Sequence, residues 1–267
     1  MIFNQGAFYL LAFATIGTLL AASLLIVNKG GALTASAIAV KKKSSLLAML
    51  WFLTSFFAVI FKVRDILNGE ALDSTTLNSY LTQTDLGKSM FFQMIGLAIL
   101  TLALPLIKRV IPLVILTGIA LLSLIAPIFQ SHAASNGSHS LAIGALVTHV
   151  VALSLWVGGL AGILFIPKDE RITALYRFSV LALWAAIAVV FSGVATAWTR
   201  LNNASAWNTQ YAYVVIAKVI LTIALFAMGY ANRKALASRD EMRLQELLRL
   251  ISVEAMVMTA VVLMGSW

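Results

Sequence analysis

The sequence predicts an all-α, polytopic membrane protein of eight transmembrane helices, and three observations carry that prediction. Of the 267 residues, 61% are hydrophobic and 11% charged, against roughly 45–50% and about 25% in a soluble domain. The apolar residues gather into eight segments of spanning length, and a spanning helix needs about 20 of them, so eight use about 160 positions. The basic residues concentrate in alternate connections, as the positive-inside rule requires of a membrane protein.

The segments cover 5–27, 45–61, 89–107, 111–129, 141–166, 178–198, 212–231 and 248–266. The first follows an uncharged start, Met1-Ile2-Phe3-Asn4-Gln5, without the basic region of a signal peptide, and reads as a retained helix. Between the second and third lies a long connection, 62–87, with room for structure of its own. Pro105 and Pro112 bracket Lys108-Arg109 in a tight turn between the third and fourth segments. A second long connection, 130–140, leads into the fifth segment, which Pro167 ends.

One set of connections holds Lys29, Lys41, Lys42, Lys43, Lys108, Arg109, Lys168, Arg171, Arg177, Arg233, Lys234, Arg239, Arg243 and Arg249. The other holds Lys62, Arg64, Lys88 and Arg200, beside Asp65, Glu70, Asp73 and Asp85. The first set is expected in the cytoplasm, which places both termini outside. The formal charge of +9 is then a matter of topology, and no basic stripe interleaved with aromatics points to nucleic acid.

The chain reads as a single integral membrane domain in two halves, 1–129 and 130–267, with four helices each. Thr84-Asp85-Leu86-Gly87 followed by Gln93 parallels Thr209-Gln210-Tyr211-Ala212 followed by Lys218, at an offset of 125 positions. Two readings stand. One is a parallel repeat of four helices, the other a shared preference for capping residues at helix starts.

Cys is absent, which removes disulfides and thiolate ligands. Titratable groups inside the hydrocarbon default to functional candidates because they are costly to bury there, and three stand out: His149, Lys218 and Glu254. His149 is either a packed histidine hydrogen-bonded to a neighbouring helix or a metal ligand. His132 and His139, in the connection leading into the same helix, favour the second reading. Lys218 either snorkels to the interface or lines an ion path; Glu254 either pairs with an inner base or neutralises a cation in transit. Met90 and Met94, four apart on one helical face, suit Cu(I) as soft ligands or simply pack. Trp156 shares a face with His149, seven residues away, and Gly158-Gly159 admits a close neighbouring helix.

His149, Leu155-Trp156-Val157-Gly158-Gly159-Leu160, Arg177-Phe178-Ser179, Ser192-Gly193, Thr209-Gln210-Tyr211-Ala212, Lys218, Asn232-Arg233 and Glu254 form an ordered set. Together with Ser131-His132-Ala133, the set resembles the copper resistance D (CopD) family of bacterial inner-membrane proteins. Ala212 and Ser131 stand where that family usually has glycine, and Val147-Thr148 where an acidic residue often precedes the histidine. The resemblance covers about 131–254, while the first half agrees in helix count and length. It implies copper handling at or across the cytoplasmic membrane, commonly beside a periplasmic partner of the CopC type, with His132 and His149 as ligands.

The leading expectation is copper import or handling: outer His132, His139, Met90 and Met94 capture copper, as Cu(I) or Cu(II), and pass it to His149, with Trp156, Lys218 and Glu254 along the path. The alternative is a membrane protein that delivers copper or assists assembly without transporting. Haem-based electron transfer needs four intramembrane histidines where the chain has three in all, so no haem is expected. No enzyme activity is expected either, since the chain carries no phosphate-cradling glycine loop and its serines lack an acidic orienter.

Overall fold

In a computed structural model, residues 2–67, 73–131, 139–201 and 207–238 are described, with 253, 256 and 257 from the last stretch. The described residues form helices α1 (Ile2–Leu20), α2 (Ala35–Ile66), α3 (Ser74–Gln83), α4 (Asp85–Ala103), α5 (Val110–Ile125), α6 (Ile128–Ser131), α7 (His139–Leu164), α8 (Arg171–Arg200) and α9 (Gln210–Ser238). By length and composition, six of them can cross a membrane: α1, α2, α4, α7, α8 and α9. The fourth expected span, α5, is apolar but has 16 residues, about 24 Å of helix against a hydrocarbon core of about 30 Å. The eighth expected span lies outside the described residues apart from Val253, Met256 and Val257.

Pro127 explains why α5 stops. It brings no N–H to the carbonyl of Ser123 four residues earlier, leaving an acceptor that must find another donor. The amide of Gln93, buried in α4, supplies it at 2.9 Å. A helix terminus created by one residue is thus closed by a side chain thirty positions away in sequence.

The basic connections converge at one end of the bundle. After α1 the chain passes through a π-turn, Ala21–Leu25, closed by Ile26 N–H on the Ala21 carbonyl at 3.0 Å. Gly30 and Gly31 then adopt φ of +60° and +74°, a left-handed turn that side chains disfavour. This turn pairs with the α4–α5 connection: Leu33 N–H donates to Lys108 and Val110 N–H to Gly31, each at 3.0 Å.

Helix α2 starts ten residues before the expected segment, so Lys41, Lys42 and Lys43 lie within helix rather than in a loop. Thr34 caps it, accepting from Ala37 N–H, and Lys41 folds inward, 4% exposed, to donate to the carbonyls of Pro105 at 3.1 Å and Ile107 at 2.6 Å. Arg171 likewise donates to Leu164 and Ile166 at the end of α7, and Arg177 to Leu24 within the π-turn. Three of the bases that set topology therefore also satisfy helix-terminal carbonyls, where a cation is favoured by the helix dipole.

At the opposite end, the 62–87 connection contains α3. Asp73 caps it through Thr76 N–H at 2.7 Å, and Tyr80 folds beneath it against Val59 and Val63 of α2.

The core runs between α1 and α7. A Cβ placed on Gly17 would overlap the carbonyl of Gly158, one on Gly158 would meet that of Phe13, and one on Gly162 that of Gly17. The backbones touch because these positions carry no side chain, the close approach expected of small residues four apart. Gly159, on the adjacent face, admits the ring of Phe178 from α8. Around this contact Ile16, Leu19, Trp51, Leu97, Leu113 and Ile163 are fully enclosed.

Candidate functional site

His149 stands about 12 Å inside α7, counting eight residues from Leu141 at the start of its apolar span. Helix α8 returns antiparallel beside it and brings Ser192 to the ring, with His149 Nδ1 3.0 Å from Ser192 Oγ. The same hydroxyl lies 2.6 Å from the Ala188 carbonyl and 3.1 Å from that of Val189. A hydroxyl has one proton, and the shorter contact claims it for Ala188. Its lone pairs then face the imidazole, which matches the tautomer with Nδ1–H as donor and the lone pair on Nε2, and the Val189 carbonyl stands as a second acceptor beside the ring.

This arrangement is the one a metal-binding histidine uses, its second nitrogen donating to an outer partner that fixes tautomer and orientation. It does not activate Ser192 as a nucleophile, because the hydroxyl proton points to backbone rather than to a base. Ser192 itself is buried, and a groove of about 250 Å3 lined by Gly144, Thr148, Ala188 and Ala195 reaches it along the α7–α8 seam. Gly193 leaves the edge of the ring uncovered, with a Cβ there falling 3.7 Å from Cε1.

Helix α9 runs in the same direction as α7 and contributes two layers. In the upper layer, Lys218 is within electrostatic reach of the His149 ring. Two turns further along, Trp156 meets Phe226 with ring centroids 6.0 Å apart. Trp156 is 6% exposed, so the face it shares with His149 is covered, as the glycine spacing predicts. The layer thus presents an imidazole and a lysine side chain from two different helices.

The expected residues separate into distinct places. Met90 and Met94 pack in the cluster of Val59, Val63 and Tyr80, where Met90 sulfur accepts from the Tyr80 hydroxyl at 3.7 Å. His139 is the first residue of α7. His132 and Glu254 lie outside the described residues. Among the described residues, no group of three or more His, Asp or Glu side chains is placed to hold a metal.

Sequence reasoning named Ser192 only within a resemblance and gave it no task. The available signal was a serine beside a glycine in an otherwise apolar helix, a pattern that marks a hydroxyl in need of a partner. The matching starts at Thr84 and Thr209 turn out to be two threonine caps, accepting from Gly87 N–H at 3.0 Å and Ala212 N–H at 3.3 Å. Capping chemistry is thus present at both starts, as the second of the two readings expects.

Residues 1–141 match the copper resistance protein D-like N-terminal domain, and residues 172–267 match copper resistance protein D. The chain therefore belongs to the copper resistance D family, a multi-pass membrane family concerned with copper. The first half, which agreed with the family only in helix count and length, is thereby included. His149 and Trp156 fall between the two matched stretches. No curated protein and no solved structure matches the chain.

Proposed function

We propose that this family member takes copper as its cargo at the bacterial cytoplasmic membrane, with the basic end of the bundle in the cytoplasm and both termini outside. His132 and His139 capture the ion at the outer end, and His149 receives it within the membrane through Nε2. The observation that carries this reading is the Ser192 contact, which holds the imidazole in the ligating tautomer at a depth where a spare donor has no water to satisfy it. Trp156, Lys218 and Glu254 line the path beyond. Lys218 keeps the His149 layer from holding the ion too tightly, since two positive charges in a low-dielectric layer repel.

Met90 and Met94, partly buried beside Tyr80 at the same end, add soft thioether donors to that capture. A CopC-like periplasmic protein is the natural donor to such an outer end. Copper accumulation in sealed vesicles tests the proposal: vesicles carrying the chain should accumulate copper faster than those carrying His149→Ala. Binding without accumulation would overturn import and leave delivery to a membrane partner as the function.

A further inference from the structure

Lys41, Lys42 and Lys108 converge at the basic end of the bundle around a cleft of about 360 Å3 whose other walls are Ile38, Ser45 and Pro105. Ile38, Lys41, Lys42 and Ser45 follow the i, i+3, i+4, i+7 spacing of one helical face, whereas Lys43 turns away to lie over the Phe165 ring at 5.1 Å. Lys41 is anchored at the floor by the Pro105 and Ile107 carbonyls. Its ammonium has three N–H groups, so one remains. Lys42 and Lys108 are exposed at the rim and act electrostatically on Lys41.

Among the described residues, no carboxylate lines this cleft. Among the described residues the one side-chain ion pair, Lys88–Asp85, stands at the other end. Three like charges around one cavity repel unless an anion enters it. Ile38 and Pro105 give the walls an apolar side, and Leu46 and Leu106, next in sequence to the lining residues Ser45 and Pro105, are 55% and 77% exposed. A ligand matching both features carries a phosphate and hydrocarbon chains.

We infer that the Lys41–Lys42–Lys108 cleft binds the headgroup of an anionic phospholipid of the surrounding leaflet. Basic pockets between membrane helices on the cytoplasmic side hold such headgroups. The phosphate sits against the free Lys41 N–H, Lys42 and Lys108 close over it, and the acyl chains run along Leu46 and Leu106. The cleft is separate from His149, and the inference does not depend on copper.

The test uses the full chain purified in detergent and supplied with equal phosphatidylglycerol and phosphatidylcholine, with bound lipid counted by native mass spectrometry. The wild type should retain phosphatidylglycerol preferentially. Lys42→Gln with Lys108→Gln should lower that preference about twenty-five-fold, about fivefold for each lysine, while leaving the Lys41 anchor intact. Lys62→Gln with Lys88→Gln removes the same charge from the opposite end and should leave the preference unchanged. Equal retention of both lipids, equal loss in both double variants, or displacement of the lipid by millimolar inorganic phosphate would overturn the assignment.

Discussion

His149 Nδ1 lies 3.0 Å from Ser192 Oγ, and the Ser192 proton is committed to the Ala188 carbonyl at 2.6 Å. Ser192 thus fixes which imidazole nitrogen is free. Ser192→Ala should weaken copper binding about tenfold or more, the usual effect of losing an outer partner of a ligating histidine, without abolishing it. Ser192→Thr should retain most of the affinity, because its hydroxyl makes the same contact. Competition titration with a copper chelator on the purified protein reads both.

Lys218 acts on the same ring with the opposite sign. Lys218→Met should tighten copper binding about tenfold, by removing a like charge from a layer that water screens poorly, and should slow release. Stopped-flow transfer of copper to a chelator separates the two effects. Weaker binding in Lys218→Met would show that the lysine supports the site rather than opposing it.

Gly17 and Gly158 touch through their backbones. Gly17→Ala forces α1 and α7 apart and should cost about 1–3 kcal/mol, lowering the apparent unfolding temperature in detergent by about 5 °C. Gly118→Ala, where a Cβ meets open space, is the matched substitution that should leave the temperature unchanged.

The cap on α3 predicts a pH response. The Thr76 side chain and, after it, the Thr76 backbone N–H beside Asp73 hold its carboxyl below the ordinary value of 3.8. A lowered value in the folded state means that this contribution is present at neutral pH and lost as pH falls through the folded value. Amide exchange at the first turn of α3, corrected for intrinsic rates, should stay constant from pH 7 to about pH 5 and rise below about pH 4. Asp73→Asn keeps the acceptor without the titration and should remove the response.

Much of this architecture is legible in the sequence because apolar runs and alternating charge are local patterns. Seven of the eight expected segments coincide with helices, and the basic connections gather at one end as their charge implies. What escaped depends on pairs distant in sequence. Lys41 reads as a loop base until Pro105 and Ile107, more than sixty residues away, are seen to need a donor. Gln93 reads as half of a repeat until Pro127 leaves the Ser123 carbonyl without one. At the site, His149 and Trp156 follow from helical spacing on one element. Ser192 and Phe226 do not, since which helices adjoin α7 is a property of the whole bundle. Met90 and Met94 share the face that their spacing implies, yet spacing says nothing of the Tyr80 hydroxyl that meets the sulfur.

The central claim is that copper binds at His149 after capture by the outer histidines. Equilibrium copper binding to the purified chain, compared with the His132→Ala/His149→Ala double variant matched for elution volume and unfolding temperature, tests it most directly. The account predicts a fall in both stoichiometry and affinity in the double variant. Unchanged stoichiometry and affinity would contradict it.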